Sequence, residues 1–296
     1  MLSDTSKGAD GFPKAPQTIE QSLARAIDCF LSFESKQDAK LDARVLMAHV
    51  VDKPLSYLLA WSDTMLTTSQ YQQFIKSVER RRAGEPVAFI TGKREFWSLE
   101  LFVDPCTLIP RPDTEILVEQ VLNQNPEPNT RLLDLGTGTG AIALALAFEN
   151  PTWSVEAVDF NKDAVALAQK NAEHHGIKNV RIYQSDWFSS IPQQPLFDLI
   201  VSNPPYIDVN DQHLSHGDVR FEPSSALVAS EQGFADIIHI INTSKRYLKS
   251  GGQLYLEHGF EQHLHVQALL AQAGYIQIES FIDYGNNPRI TMGYLP

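Results

Sequence analysis

The chain has 296 residues, 43% of them apolar, and carries 24 Lys and Arg against 36 Asp and Glu for a formal charge of -12. That composition suits globular domains, with length for two cores, and excludes a collagen-like, disulfide-scaffold or wholly disordered chain. The acidic balance opposes broad binding to phosphate backbones, so no stable nucleic-acid binding is expected.

Residues 1–16 are polar and punctuated by Gly and Pro, and are expected to form a flexible tail. Thr18 with Gln21 makes a capping-box pair, and Ile19, Leu23, Ile27, Phe30 and Leu31 follow at helical spacing. Leu41, Val45 and Ala48 form a second stripe. Thr67 with Gln70 opens a third segment, in which Tyr71, Phe74, Ile75 and Val78 share a face before Arg80, Arg81, Arg82 and Gly84 close it. Residues 17–84 therefore read as a small helical bundle. The three arginines suit the negative end of a helix dipole better than a partner surface. Between 85 and 104, Val87, Phe89 and Ile90, then Phe96, Trp97, Leu99, Leu101 and Phe102, flank Thr91-Gly92-Lys93 and predict a β-hairpin linker.

In 105–296 strand-like and helix-like segments alternate, with strands expected at 131–135, 155–158, 180–184, 196–201 and 253–257. Alternation of this kind predicts a mostly parallel α/β sheet. Residues 275–282 and 289–295 lack room for an intervening helix and predict an antiparallel hairpin at a sheet edge.

Asp134-Leu135-Gly136-Thr137-Gly138-Thr139-Gly140 runs from an apolar strand into an Ala/Leu-rich helix, the form of a turn at which a ligand approaches the backbone. Alone it fits a dinucleotide fingerprint as well. The next strand ends at Asp159, a carboxylate suited to ribose hydroxyls, and the third in Ser185-Asp186-Trp187, an acceptor for an exocyclic amine beside a flat ring. Together these describe an adenosine pocket. Asn203-Pro204-Pro205-Tyr206 after the fourth strand decides the chemistry. An amide or amino nitrogen with a delocalised lone pair is a poor nucleophile, and the Asn203 side-chain carbonyl with the Pro204 backbone carbonyl can hold its two N–H groups. Such dipoles also stabilise the positive charge that grows on nitrogen as a methyl group arrives. Tyr206 offers a ring to the planar target, and the two prolines restrict the backbone. S-adenosylmethionine is the expected methyl donor, leaving S-adenosylhomocysteine. Adenine-N6 of DNA or RNA and glutamine-N5 of a protein both remain open as the acceptor. A silent S-adenosylmethionine sensor is a third reading, opposed by the intact tetrapeptide.

Beyond these motifs the chain carries Ile109-Pro110-Arg111-Pro112-Asp113-Thr114-Glu115, Gly217-Asp218-Val219-Arg220-Phe221-Glu222-Pro223, Leu256-Glu257-His258-Gly259, and Asp283-Tyr284-Gly285 followed by Arg289. With the turn at 134–140, Ser185-Asp186-Trp187 and the tetrapeptide, they resemble the release-factor glutamine methyltransferases of the HemK/PrmC type, from the helical region to the C-terminus and without departure at these positions. The resemblance implies a class I Rossmann-like methyltransferase domain at 105–296, a small all-α N-terminal domain that binds the release factor, and the hairpin linker between them. It implies methyl transfer to the glutamine of the Gly-Gly-Gln motif in bacterial class I peptide chain release factors, tuning translation termination. Asp134, Gly136, Thr137, Gly138, Thr139, Gly140, Asp159, Asp186, Trp187 and Asn203 are then expected at the cofactor, and Asn203, Pro204, Pro205 and Tyr206 at the glutamine.

Arg111, between two prolines at the pocket mouth, is expected to touch substrate or to tie down the linker. Glu257 and His258 end the fifth strand and either line the pocket or hold the sheet end. The nine histidines, including the pairs His174/His175, His213/His216 and His263/His265, match no metal-site spacing, so no metal is expected. Two cysteines, Cys29 and Cys106, suit a reducing compartment, and the N-terminal sequence lacks a secretory h-region. A cytoplasmic monomer without a membrane segment is the expectation.

Overall fold

The computed structural model describes residues 12, 13, 15–124, 127–215 and 217–296. Most of the expected tail, and His216 of the His213/His216 pair, lie outside the described residues. The chain divides into two compact units at Gly92/Lys93.

The first unit is helical, with α1 (Ile19–Phe30), α2 (Lys36–Val51), α3 (Leu55–Ala60), α4 (Thr68–Arg82) and α5 (Val87–Thr91). Both expected capping boxes form, at Thr18/Gln21 and Thr67/Gln70. Ile19, Phe30, Leu46, Met47, Tyr71 and Phe74 make its core, and Phe12 of the expected tail is also buried there. The buried face of α2 carries Ala39, Ala43, Leu46 and Met47, whereas Leu41 is exposed, a correction to the stripe read from the sequence. Small alanines allow close helix approach, so the larger Leu41 is not needed inside. Arg81 lies between Glu34 at 2.6 Å and Asp42 at 2.8 Å, and Arg80 pairs with Glu85. These two arginines are thus engaged within their own unit.

Residues 87–91 are a helix where a strand was expected. Pro86 starts the turn, the Thr91 hydroxyl donates to the Val87 carbonyl at 3.0 Å, and Gly92 ends it at φ +72°. A short apolar run carries no period that separates helix from strand. The hairpin itself is β1 (Lys93–Phe96) with β2 (Leu99–Phe102), in register Phe96 to Leu99. Its turn residues Trp97 and Ser98 both have positive φ, an unusual choice at such a position. Glu115 accepts from the Trp97 amide at 2.9 Å and Glu149 from its indole at 2.8 Å, which holds the strained turn.

The rest of the second unit contains α6 (Glu115–Gln124), β3 (Arg131–Leu135), α7 (Ala141–Glu149), β4 (Ser154–Asp159), α8 (Lys162–His174), β5 (Val180–Gln184) and β6 (Phe197–Ser202). There follow β7 (Ile207–Asp208), β8 (Val228–Ala229), the tight turn α9 (Ser230–Gly233), α10 (Ala235–Ser244), β9 (Leu248–Glu257), α11 (His263–Gln272), β10 (Ile276–Ile282) and β11 (Pro288–Tyr294). Seven strands form one sheet in the order β10-β11-β9-β6-β3-β4-β5. Neighbours from β9 to β5 are parallel, and β11 and β10 add an antiparallel edge, as the sequence predicts. Period-2 alternation places Leu132, Val155 and Leu199 against α6, α7 and α8, while Leu133, Val158 and Ile200 pack toward α10 and α11. The sheet is therefore covered on both faces, and the chain order reverses between β3 and β6, where open α/β sheets bind ligands. No helix among the described residues is long and apolar enough to cross a membrane.

Candidate active site

Three strand ends build one wall. After β3 the amides of Gly136 and Thr137 both donate to the Val158 carbonyl at 2.9 Å, so the turn is fastened to β4 next to it. The Thr137 hydroxyl donates to Asp134 at 2.6 Å. Burial pushes the Asp134 carboxyl up to about 7, against the Thr137 hydroxyl and the Ala143 amide that favour its charge. Gly140 sits at φ +86° directly before α7, where a Cβ would meet Leu144 at 3.0 Å and Ala168 at 3.3 Å. The glycine there is required twice, for backbone conformation and for space.

Asp159 accepts from the Gly138 amide at 2.9 Å and from the Asn161 amide at 2.8 Å, while Asn161 caps α8. Its carboxyl is raised by burial, and those two amides counter the rise. After β5 the Ser185 hydroxyl donates to the Trp187 carbonyl at 2.7 Å and fixes that residue at φ +46°. The indole then lies beside Gly136, 3.6 Å from where a Cβ would stand. These groups line a cavity of about 420 Å³ that includes Gly136 to Thr139, Asp159, Asp186, Trp187, Asn203, Pro205 and Arg111. Asp134 and Gly140 shape the turn from behind and are not on the cavity wall.

Asn203 to Tyr206 leave β6 next to the glycine turn, and the Ser202 hydroxyl donates to the Leu135 carbonyl at 2.7 Å, locking the two strand ends together. Pro204, Tyr206 and Val219 line a second cavity of about 140 Å³, in which Asn203, Arg111, Leu108 and Ala226 are shared with the first. The two cavities thus meet at Asn203. Its Nδ2 donates to the Thr114 hydroxyl at 3.3 Å, which commits the nitrogen and leaves Oδ1 as an acceptor. Tyr206 is fixed through its carbonyl, which accepts from Gln262 at 3.0 Å and lies where a Cβ on Gly233 would come within 2.2 Å. Burial and then Glu257 push the Tyr206 phenol well above its usual range, so it stays protonated.

Arg111 donates to Glu222 at 2.6 Å, and Glu222, whose side chain is fully buried, also accepts from the Ile109 amide at 2.9 Å. Arg111 therefore both ties its segment down and faces the two cavities. Glu257 and His258 line neither cavity. The His258 ring meets the Thr291 hydroxyl at 2.7 Å and the Gly259 carbonyl at 2.9 Å, and burial lowers its pKa to about 4. Arg289 joins Asp283 at 3.2 Å and Asp113 at 3.6 Å, so the Asp283–Arg289 motif braces the turn that carries Thr114.

Known proteins place this architecture. The family described as "Methyltransferase small domain" matches residues 112–222, and "PrmC N-terminal domain" matches residues 23–92. A release factor glutamine methyltransferase of Salmonella typhimurium is 57% identical over 85% of this chain and 91% of its own length. That of Escherichia coli is 55% identical over 88% of this chain and 94% of its own.

The chain belongs to the release factor glutamine methyltransferase family.

A methyltransferase from Pyrococcus furiosus, at 16% identity and a TM-score of 0.51 over 73% of this chain and 96% of its own, shares the fold. So does a T. thermophilus 16S rRNA N2 G1207 methyltransferase, at 20% identity and a TM-score of 0.52 over 69% of this chain and 50% of its own. Several wall residues of this family member escape sequence reading: Thr107, Phe160, Asn161, Ala226 and Asp236 line the larger cavity from loops, short turns or a helix start. Asn161 had a signal in its position just before a helix, and Gly233 had one as a lone glycine between elements.

Proposed function

We propose that this chain transfers a methyl group from S-adenosylmethionine to the side-chain nitrogen of the glutamine in the Gly-Gly-Gln motif of bacterial class I release factors, in the cytoplasm and as a monomer. The observation that carries the chemistry is the junction of the two cavities at Asn203, with its nitrogen engaged by Thr114 and its carbonyl available. Family membership carries the choice of a release factor over a nucleic acid, and the charge of -12 agrees with it.

The donor set of the larger cavity suits S-adenosylmethionine: flexible-backbone glycines at 136 and 138, the Asp159 carboxylate for ribose hydroxyls, and the Trp187 ring for adenine. Bound there, it supplies a sulfonium-activated methyl group. The chain's own part is to hold the acceptor. Asn203 Oδ1 and the Pro204 carbonyl take the two N–H groups of the target amide, which turns its lone pair toward the methyl group. As charge develops on nitrogen, these fixed dipoles and the Tyr206 ring stabilise it in a site that needs no reorganisation. Arg111, held by Glu222, lies where it can bind carbonyls of the chain flanking the glutamine. The helical unit is assigned to docking the release factor.

Mass spectrometry of an unmodified release factor, incubated with this chain and S-adenosylmethionine, tests the reading. One added methyl on the Gly-Gly-Gln glutamine, absent from a Gln-substituted control, is expected. Methyl incorporation into DNA or RNA instead would favour the adenine-N6 reading.

A further inference from the structure

An asparagine amide can present its carbonyl or its NH₂ group in nearly the same space, and only the carbonyl is of use to an incoming NH₂ group. Asn203 Nδ2 donates to Thr114 Oγ1 at 3.3 Å. Thr114 is 5% exposed, and its hydroxyl lies against the carboxyl of Glu257, itself 2% exposed at the end of β9. Glu257 Oε1 is 3.5 Å from the Tyr206 hydroxyl, which donates to it, and Oε2 is buried with no hydrogen-bond partner among the described residues, an acceptor open to the Thr114 hydroxyl. A threonine hydroxyl has one proton to give. With that proton directed to the carboxylate, its oxygen can only accept.

Resting on the methyl-transfer reading above, we propose that Thr114 and Glu257 are positioning residues: ionised Glu257 accepts from the Thr114 hydroxyl, Thr114 accepts from Asn203 Nδ2, and the Asn203 carbonyl is thereby kept for the target amide. Thr114 lines the larger cavity and Glu257 lines neither, and both act through the Asn203 amide. Protonated Glu257 breaks the order, because it can donate to Thr114, and Thr114 can then donate to an Asn203 amide turned over. The site would then meet the target NH₂ with an NH₂ of its own.

The charged and titratable groups around Glu257 come from three directions: Asp113 on the turn before α6, Arg289 on β11 and Tyr206 in the tetrapeptide. Burial pushes Glu257 up to about 7, the Thr114 hydroxyl and Arg289 draw it down, Asp113 raises it and Tyr206 lowers it. The neighbouring His258 is neutral in this range. Since the working form is the ionised one, turnover is full above that pKa and falls as pH drops through it.

Steady-state kinetics with a release factor, from pH 5.5 to 9, test the relay on wild type and on T114V, T114S, E257Q, N203A and T114V/N203A. Thermal melts and S-adenosylmethionine titrations establish that each variant is folded. T114V is expected to lose about 10- to 100-fold in kcat, the worth of a hydrogen bond to a charged partner, with KM for both substrates nearly unchanged. T114S recovers most of that loss. T114V adds nothing to N203A, because its effect passes through the amide, and E257Q loses the acid limb of the pH profile. Wild-type kcat in T114V, losses that multiply in the double variant, or an acid limb that survives in E257Q would each overturn the relay. Should T114V fail to fold, the E257Q profile decides alone. Wild-type transfer to a nucleic acid in place of the release factor would sink the function reading, while the same variants on that acceptor still judge the relay. Transfer to neither overturns both.

Discussion

The turn after β3 and the tetrapeptide after β6 leave adjacent parallel strands at the same end of one sheet, but they are held by different means. The glycine turn is shaped mostly by bonds within it and to the next strand, Asp134 to Thr137 and Gly136, Thr137 and Gly138 to the end of β4, with Asn171 and Ser202 adding one bond each from further along the chain. The tetrapeptide is held by side chains far away in the sequence, with Thr114 separated from Asn203 by 89 positions and Gln262 from Tyr206 by 56. The wall proposed for the cofactor is thus written largely as one motif. The wall proposed to grip the acceptor is assembled by the rest of the domain.

Substitutions sharpen this contrast. Asn203→Ala should lower kcat by about 100-fold or more while S-adenosylmethionine affinity changes only a few-fold, since a contact to developing charge is lost. Near-normal turnover in a kinetic assay would remove Asn203 from its role. On the opposite wall, Asp159→Ala should weaken S-adenosylmethionine binding by about 10-fold or more in a calorimetric titration, with a smaller change in kcat at saturation. Gly233→Ala puts a methyl group against the Tyr206 carbonyl at a positive φ, and should cost about 2 kcal/mol or more of stability in a denaturant titration, together with activity.

Asn171 offers a similar test of the other wall. It donates to the Thr139 and Phe102 carbonyls and accepts from the Phe102 amide, so Asn171→Ala should cost about 2 kcal/mol by leaving buried backbone groups unpaired. The smallest effect is expected from Asp134→Asn. The folded-state pKa of Asp134 is raised to about 7, so the stability gained by holding its proton is full below the unfolded value and is lost as pH rises through 7. The melting temperature of Asp134→Asn relative to wild type should therefore climb between pH 5 and pH 8. A flat difference would mean that Asp134 carries its charge without penalty.

What the sequence discloses follows the same division. Strand periodicity locates the parallel strands of the sheet, and its edge hairpin, because a two-sided core demands continuous apolar runs with turns between them. The glycine turn, Asp159 and Trp187 are legible for the same local reason. Residues 87–90 mislead, since Ala88, Phe89 and Ile90 are consecutive and all buried, which a short helix and a strand satisfy equally. Glu257 leaves two readings open in the sequence because nothing in Leu256-Glu257-His258-Gly259 tells which side chain faces which wall. Only tertiary packing places it behind the tetrapeptide. Asp236 and Ala226 carry no pattern at all, and reach the cavity through the geometry of the segments before and within α10.

The bracing of Asn203 by Thr114, and of Tyr206 by Glu257 across 51 positions, has a consequence for biosynthesis. During synthesis the glycine turn can close as soon as β3 and β4 have emerged, whereas the acceptor side waits for β9, which must insert beside β6 before Glu257 arrives. Long-range pairings of this kind form late. A chain arrested short of residue 257 would carry the glycine turn complete and the Asn203 amide without its brace, so recovery of activity on refolding is expected to report the docking of β9 on β6.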